Sequence, residues 1–587
     1  MPVLFPDGPA DAPVTLAQAW RGLPLEHLAA ALPPVFAIAS ASNAWAMAGG
    51  RTASSLPLLA NDPHLGLSAP GMWYLARVVA HDLQMTGATI PGQPFVVLGH
   101  NGAVAWGLTT THADTQDLFI ERIDRDNNSR YLTPEGTQPF TLREERIRVR
   151  FRNEPEIMRV RGTRHGPVIS DLGDAVVPAQ PADRALALAW TGLAEDDRTG
   201  DAFARLVRAH NAAEVRAAAD LFGSPVQNLF YADTAGAIGF RVVGRAPQRR
   251  SGYGLLPVEG WSGAYDWTGV IPPDALPGIE NPAAGQLVNA NNKVTADAKS
   301  SRLAVNWPEG FRAARIETLL AGRDDLTAGD MIAIQMDNRA GEVGLLRPAL
   351  LALVQAAGPD RPDRRALADV VAAWDGRMER NAIAPTVWTA WFDALQKRLF
   401  EPQLGELYAA WGRQRQPHAV AAALNDAKTW CPDADCAGTV AAALDDAHAR
   451  LTALLGPGTA NWQWGALHRA RFTHPLGQRL APIAWLLTAA TGTSGGDFTV
   501  NRGTAASLHA RRAFAHGHGP GLRAVYDLAD LSRSLFSMAP GQSGHPLSRH
   551  WSDLLERWAD GGHRRLDLTH EELERTTAAK LTLNPAE

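Results

Sequence analysis

The pattern of apolar residues changes twice along the chain, and these changes limit the folds that it can adopt. Residues 35–323 form short apolar runs separated by clusters of Gly, Pro, Asp and Asn, which is typical of strands and turns. Residues 327–455 carry Ala, Leu, Arg and Asp at the helical period with few turn residues. Residues 456–587 mix both patterns. We therefore predict an α+β protein, with a large sheet-rich body and a mainly helical insertion at about 327–455.

Individual elements follow from the same patterns. In residues 146–151 arginines alternate with apolar residues, which predicts a half-buried strand. The Asn-Glu-Pro sequence at 153–155 predicts a turn into a second strand at 157–161. Helices are predicted at 16–32 and around 201–221.

Length, charge and hydropathy exclude several classes of protein. At 587 residues the chain exceeds one usual domain core, which predicts one large domain with insertions or several domains. A net charge of −5 without a basic block gives no indication of nucleic acid or an anionic membrane as a partner. No apolar stretch is long enough to span a bilayer, and residues 1–20 lack the pattern of a secretory signal.

Two cysteines, Cys431 and Cys436, lie close together in a Pro- and Asp-containing segment. Two thiols alone make a poor zinc site, because structural zinc usually takes four nitrogen or sulfur ligands. A reduced pair and a small disulfide loop both remain open. A disulfide would indicate an oxidising compartment.

Two motifs offer catalytic interpretations that we do not favour. Ser494 lies in Gly-Thr-Ser-Gly-Gly, the nucleophile pattern of α/β-hydrolases, which needs a strand before it and a helix after it. Here a strand-like run at 497–500 follows instead, so an ordinary glycine-rich loop is the better interpretation. His516 and His518 have no carboxylate at ligand spacing, and no His-Glu-x-x-His occurs, which argues against a metallohydrolase.

Ser42 is a third candidate nucleophile. It opens the run Ser-Asn-Ala-Trp between two apolar stretches, 35–38 and 45–48. Taken alone, this arrangement is typical of a strand edge or a turn. The segments that follow Ser42 along the chain give it a different interpretation.

A series of short segments runs from Ser42 over nearly the length of the chain. The segments are Ser-Asn-Ala-Trp at 42–45, Leu-Leu-Ala-Asn-Asp-Pro-His-Leu at 58–65, Gly-His-Asn-Gly at 99–102, Ala-Trp-Gly-Leu-Thr-Thr-Thr at 105–111, His-Gly-Pro-Val at 165–168, Gln-Asn-Leu-Phe-Tyr-Ala-Asp at 227–233, Asn-Ala-Asn-Asn at 289–292, Phe-Arg at 311–312, Gly-Gly-Asp at 495–497 and Pro-Gly-Gln-Ser-Gly at 540–544. In their order and spacing, these segments together resemble the β chain of the penicillin acylase family, the self-cleaving N-terminal-nucleophile amidohydrolases.

The resemblance implies an αββα sandwich in which the chain is cleaved at the Ala41–Ser42 bond. Ser42 would then carry a hydroxyl and a free α-amine. A serine hydroxyl needs a base, and an α-amine with a pKa of about 7.7–8.0 is partly neutral near pH 7.5. The expected reaction is hydrolysis of a linear amide through an acyl-Ser42 ester.

The resemblance also assigns the remaining site residues. The side-chain amide of Asn291 and the backbone N–H of Thr110 would bind the oxyanion. His64 matches the position that holds the amine and hydroxyl of the nucleophile, and a histidine there is similar to acylases of cephalosporins and acyl-homoserine lactones. Arg312 matches an arginine that orients the site around Asn291. An apolar acyl pocket would be lined by Leu65, Leu98 and Leu108, which otherwise are plain core leucines.

The family also binds one structural calcium ion, through oxygen ligands of the kind that calcium prefers. This chain lacks a family carboxylate expected near residues 301–302, where Asp297 is a loose substitute. The matching ligands are the carboxylates of Asp114 and Asp117 and the carbonyls of Gln116 and Pro247. No catalytic cofactor is implied.

The family precursor carries a long α segment before the serine, whereas 41 residues precede Ser42 here. We therefore expect residues 1–41 to be residual spacer and 42–587 to be the catalytic β portion, with an α segment as heterodimer partner. By resemblance the protein is periplasmic or secreted. The alternatives are a non-catalytic scaffold or inactive fragment of the same fold, and a serine hydrolase that uses Ser494.

Overall fold

The computed structural model describes residues 41–172, 183–296, 302–358 and 361–584. The predicted helix at 16–32 lies outside these residues. The strands are β1 (Ala41–Met47), β2 (Leu58–Gly66), β3 (Tyr74–Val79), β4 (Gln84–Thr89), β5 (Val96–His100), β6 (Val104–Thr110), β7 (Gln116–Arg122), β8 (Arg130–Thr133), β9 (Gly136–Pro139), β10 (Thr141–Ile147), β11 (Glu156–Thr163), β12 (Gly166–Pro167), β13 (Arg184–Trp190), β14 (Gln227–Asp233), β15 (Ile238–Val243), β16 (Pro247–Arg249), β17 (Val258–Glu259), β18 (Trp267–Val270), β19 (Gly278–Glu280), β20 (Gln286–Asn289), β21 (Arg469–Thr473), β22 (Thr488–Gly492), β23 (Thr504–Ala505), β24 (His516–Pro520), β25 (Leu522–Asp527), β26 (Leu535–Met538) and β27 (Arg564–Arg565).

Two large sheets form the centre of the fold. A ten-stranded sheet runs β22-β21-β24-β2-β25-β26-β27, with β23 beside β24 and with β1 between β2 and β20. A seven-stranded sheet runs β19-β15-β14-β6-β5-β4-β3. The two sheets pack against each other through a shared apolar cluster that includes Ala44 and Ala46 from one sheet and Leu98 and Phe230 from the other. The strand that starts at Ala41 is therefore covered on its inner face by the opposite sheet.

Helices cover the outer face of each sheet. Helices Thr199–Leu206 and Ala212–Ala219 pack on the seven-stranded sheet. Helices Phe311–Leu320 and Ala328–Gln335 pack on the ten-stranded sheet behind Trp45. Every residue of β1 is buried, because small residues face the other sheet while Trp45 and Met47 face the helices.

A helical body follows where the sequence pattern predicted it. Its core is rich in tryptophan and includes Trp388 and Trp391. Cys431 and Cys436, both buried in this core, form a disulfide, which settles the alternatives left open by the sequence. The helices of this body and of the C-terminal part are Gly341–Ala356, Pro362–Ala372, Ala384–Leu404, Tyr408–Trp411, Pro417–Asn425, Ala427–Trp430, Cys436–Leu455, Trp464–Leu467, Pro475–Arg479, Leu555–Ala559 and His570–Thr576.

Three local predictions are wrong in detail. The strand predicted at 146–151 lies earlier, at Thr141–Ile147, and Phe151 is 91% exposed in the turn that follows. This hairpin is exposed on both faces, so burial does not impose the alternation that the pattern indicated. The single helix at 201–221 is two helices, because Asn211 caps the second one. Residues 497–500 form a turn, and a strand, Thr488–Gly492, precedes Ser494.

No helix in the described ranges combines the length and apolarity that a bilayer crossing requires.

We predict that the packing behind β1 dominates local stability. Ile316 is fully buried against the cluster that contains Trp45, so Ile316→Ala should cost about 2–5 kcal/mol of unfolding free energy. Phe151→Ser, at an exposed turn, should change it by less than about 0.5 kcal/mol. Thermal unfolding of both variants checks this. Equal melting temperatures for the two variants would contradict the packing that we describe.

Candidate active site

Ser42 lies at the start of β1, with its Cα opposite that of Pro63 in β2. Its side chain is on the face of the sheet that carries Ala44 and Ala46, because side chains alternate along a strand. The residue is 4% exposed. The Ser42 hydroxyl donates a hydrogen bond of 2.5 Å to the carbonyl oxygen of Ala41, which belongs to the peptide bond joining the two residues.

Asn291 holds the backbone of Ser42 from the neighbouring segment. The Ser42 N–H donates to Asn291 Oδ1 at 2.7 Å, across 249 positions of sequence. Asn291 follows β20 in the left-handed conformation (φ 68°), which turns its side chain back toward β1. Its Nδ2 donates to the carbonyl oxygen of Thr110 at 2.8 Å. Asn291 is therefore next to both Ser42 and Thr110, but its bond to Thr110 involves the carbonyl oxygen and not the backbone N–H predicted to bind an oxyanion.

Arg312 joins the same group of residues from the first turn of helix Phe311–Leu320. Its guanidinium donates to the Ser42 carbonyl at 2.9 Å and to Asn291 Oδ1 at 3.0 Å. A third bond, of 2.6 Å, goes to Asn43 Oδ1. Burial lowers the pKa of Arg312 to about 9, the charge of Arg502 acts in the same direction, and Asp62 opposes it. Arg312 thus remains a buried cation at neutral pH.

His64 is placed differently from the role that the resemblance suggested. Its Cα lies opposite that of Ala41, so its imidazole is on the helix-facing side of the sheet, away from the side-chain face of Ser42. There His64 Nε2 lies 2.7 Å from Asp62 Oδ2 and 3.4 Å from Asn43 Nδ2. The imidazole and the Ser42 side chain are thus on opposite faces of the sheet in this arrangement.

Sequence reasoning missed the polar residues that accompany His64 on this face. Asn43 Nδ2 donates to Asp62 Oδ2 at 2.8 Å, and both side chains are fully buried. Burial raises the pKa of Asp62 to about 8, against the opposing charge of Arg523. The signal was available in the two motifs at 42–45 and 58–65, because a period of two places Asn43, Asp62 and His64 on one face once the strands are paired.

Two of the three predicted pocket leucines lie in the space between the two sheets, on the face that carries the Ser42 side chain. Leu98 is a buried member of the inter-sheet cluster, and Leu65 is partly buried against it. Leu108 packs partly against this cluster and partly against the cluster under helices Thr199–Leu206 and Ala212–Ala219, because it shares the strand face of Trp106. Asn61 crosses the same space, donating from Nδ2 to the Leu108 carbonyl at 3.0 Å and accepting from the Leu108 N–H at 3.2 Å.

Comparison with known proteins places the chain in a family. The model of the penicillin amidase family matches residues 4–575. The chain belongs to this family. It is 33% identical to Penicillin acylase 2 proenzyme of Pseudomonas sp. (strain SE83) over 88% of its own length and 66% of that protein. It is 31% identical to Acyl-homoserine lactone acylase QuiP of Pseudomonas fluorescens (strain Pf0-1) over 93% of its length and 68% of that protein.

A solved structure shares the fold. The chain superimposes on thermostable penicillin G acylase from Alcaligenes faecalis with a TM-score of 0.70 and 21% sequence identity. The match covers 93% of this chain and 100% of that one. The chain therefore has the mixed α+β fold of penicillin G acylase, while it spans 66% of the first-named curated relative.

The residues that the penicillin amidase family suggests for calcium do not fit an ion as they stand. Both carboxylate oxygens of Asp117 accept hydrogen bonds from the guanidinium of Arg249, at 2.8 and 2.9 Å. Gln116 and Pro247 begin the strands β7 and β16 on either side, and Asp297 lies outside the described residues. No step below involves an ion.

The structure also gives the surroundings of the two disfavoured motifs, the one around Ser494 and the histidine pair at 516 and 518. The Ser494 hydroxyl donates to Glu379 at 3.2 Å and accepts from the backbone N–H of Arg380 at 3.0 Å, so its described partners include no histidine. His516 is buried, with its Nδ1 2.8 Å from the Thr493 hydroxyl. Within the described ranges, no cluster of three or more His, Cys, Asp and Glu residues is arranged to hold a metal ion.

We predict that His64 makes the fold sensitive to mild acid. Burial lowers its pKa well below the ordinary 6.5, and the charges of Arg312, Arg502, His518 and Arg523 act in the same direction. The unfolded chain takes up this proton below about pH 6.5 whereas the folded chain resists it, so stability falls as the pH decreases through that range.

His64→Gln should therefore lose less stability on acidification than the wild type. Melting temperatures at a series of pH values from neutral to mildly acidic check this, with His81→Gln as a control at an exposed position. Parallel pH profiles for the wild type and His64→Gln would contradict the prediction.

Proposed function

We propose that Ser42, released by cleavage of the Ala41–Ser42 bond, is the nucleophile of an acylase that hydrolyses linear amides. One observation carries the proposal. The Ser42 hydroxyl lies against the Ala41 carbonyl while the nitrogen of the same peptide bond is held by Asn291. The hydroxyl that would attack and the nitrogen that would leave are thus both held at one residue, which is 4% exposed.

The proposed cleavage has two steps, ester formation and ester hydrolysis. The Ser42 oxygen attacks the Ala41 carbonyl carbon, the C–N bond breaks, and the hydroxyl proton passes to the leaving nitrogen. The result is an ester between Ala41 and the Ser42 side chain, and water then hydrolyses it. The products are an Ala41 carboxylate and a Ser42 that bears a free α-amine.

Turnover would reuse the same groups. The α-amine removes the proton from the Ser42 hydroxyl as it attacks the substrate carbonyl. The Asn291 amide and the Thr110 N–H stabilise the oxyanion. The amine portion of the substrate then leaves with the proton that the α-amine had taken from the hydroxyl. Water then releases the acyl group from Ser42. Arg312 keeps Asn291 oriented, because its guanidinium bonds both Asn291 and the Ser42 carbonyl.

The proposed substrates are amides with an apolar acyl group. Leu65 and Leu98 lie in the inter-sheet cluster on the Ser42 side of the ten-stranded sheet, where an acyl chain would pack, and Leu108 borders this cluster. The names of the two relatives support penicillin-type or acyl-homoserine-lactone-type amides. A methylene-sized difference between two acyl groups changes the free energy of discrimination by only about 1–3 kcal/mol, so the acyl preference has to be measured.

We further propose that the helix and sheet packing described above is the αββα sandwich of the N-terminal-nucleophile type. An α segment, as a separate or upstream polypeptide, is proposed as its heterodimer partner. Export to the periplasm or the cell exterior is supported by the Cys431–Cys436 disulfide, because disulfides persist in oxidising compartments.

We predict that Ser42→Ala abolishes both cleavage and turnover. The substitution removes the attacking oxygen, so the intact mass should stay that of the uncleaved chain, whereas the wild type, with any α segment co-expressed, should yield a species that begins at Ser42. Ser494→Ala is the matched control and should process and turn over normally. Loss of activity in Ser494→Ala but not in Ser42→Ala would establish the alternative hydrolase, and an uncleaved, inert wild type would indicate a scaffold.

We also predict that Asn291→Ala lowers kcat by about 10²–10³-fold, because one oxyanion donor is lost. Intact mass must be measured on the same samples, since Asn291 also holds the nitrogen of the cleaved bond. Lys293→Ala, an exposed change nearby, is the control. Cleaved Asn291→Ala protein with wild-type kcat would exclude Asn291 from the oxyanion site.

A further inference from the structure

A buried ion-pair cluster lies just beyond the end of β6. Arg249, at the end of β16, is 8% exposed at its side chain, and Asp117 in β7 is 4% exposed. The Arg249 guanidinium donates two hydrogen bonds to the Asp117 carboxylate, from Nε at 2.8 Å and from Nη2 at 2.9 Å. The same Nη2 donates to the Asp114 backbone carbonyl at 2.9 Å and lies 3.6 Å from the Asp114 carboxylate.

Two further contacts close the cluster. Trp267 Nε1 donates to Asp117 Oδ2 at 2.5 Å, so the Asp117 carboxylate accepts three N–H donors in all. Gly254, in the left-handed conformation (φ 74°), lies over the cluster. A Cβ at Gly254 would stand 2.4 Å from Asp117 Oδ1, 2.6 Å from Arg249 Nη2 and 2.7 Å from Asp114 Oδ2. The backbone at Gly254 therefore packs directly against all three side chains.

Nitrogen donors occupy both oxygens of Asp117, the carboxylate that an ion between the two aspartates would need. A guanidinium is planar, carries only donors and matches a carboxylate with two bonds. Calcium instead takes six to eight oxygen ligands at about 2.3–2.6 Å. Arg249 and an ion could not both occupy the space next to Asp117, because each needs the same carboxylate oxygens and like charges repel.

We infer that Arg249 supplies the positive charge at Asp114 and Asp117 that a divalent cation supplies in the family, and that this chain binds no calcium between them. The inference is independent of the chemistry proposed for Ser42.

The cluster fixes the segment between β6 and β7. Asp114 is four positions past Thr110 and two before the start of β7, and its backbone N–H also donates to the Leu303 carbonyl at 2.7 Å. Arg249 thus ties the connection between β6 and β7 to β16. A fixed internal cation does this without dependence on the calcium concentration of the surroundings.

Calcium dependence of thermal unfolding in the full chain tests the inference. Wild-type protein should melt at the same temperature with a chelator and with millimolar calcium, and should give no terbium luminescence sensitised by nearby Trp267. A calcium-dependent shift or a terbium signal in the wild type would overturn the inference. These measurements need no variant and no activity, so they stand apart from the outcome for Ser42.

Arg249→Ala provides the complementary test. It leaves two carboxylates without their cation, so its melting temperature should fall by more than about 2 °C, and millimolar calcium should restore part of the loss. Arg250→Ala, an exposed neighbour, should change little in either condition. Equal behaviour of the two variants, or an Arg249→Ala protein that calcium does not stabilise, would overturn the inference. If Arg249→Ala does not fold, the wild-type measurements decide.

Discussion

The hydrogen bonds of the Asn291 side chain are the constraint on which the rest of the site depends. Its oxygen accepts from the Ser42 N–H and from Arg312, and its nitrogen donates to Thr110. One amide thereby joins the first strand, a strand of the opposite sheet and the helix behind. Buried polar atoms are costly when unpaired, so this set of bonds is satisfied only when all three segments are in place.

The alternation of side chains along β1 separates an apolar environment on one face of the strand from a buried polar environment on the other. Ser42 and the small residues after it face the apolar space between the sheets, where an acyl group could be desolvated. Asn43 faces the other way, into a buried polar layer with Asp62 and His64. Arg312 and Arg523 add two buried cations to this layer, so charge accumulates behind the strand rather than in the pocket.

Much of the site could be predicted from sequence because it is held in ordered motifs. Asn291, Thr110 and Arg312 lie far apart along the chain, yet Asn291 and Arg312 both bond to Ser42, and Thr110 bonds to Asn291. The orientation of His64 could not be predicted, because it depends on the pairing register of two strands. Arg249 was missed for a related reason, since its partner Asp117 is 132 positions away and no local pattern marks it. The first strand of the hairpin around 141–163 was misplaced because neither face of the hairpin is buried, whereas the second strand was predicted correctly.

The same contacts that hold the uncleaved peptide would also tune the base after cleavage. The nitrogen that now donates to Asn291 as an amide would become the α-amine, with Asn291 Oδ1 still available as acceptor. The Arg312 guanidinium stays close, because it bonds both the Ser42 carbonyl and Asn291. A nearby buried cation disfavours protonation of an amine, which moves its pKa down from the ordinary value of about 7.7–8.0. Arg312 would thus orient the nucleophile and also increase the neutral fraction of the amine that serves as its base.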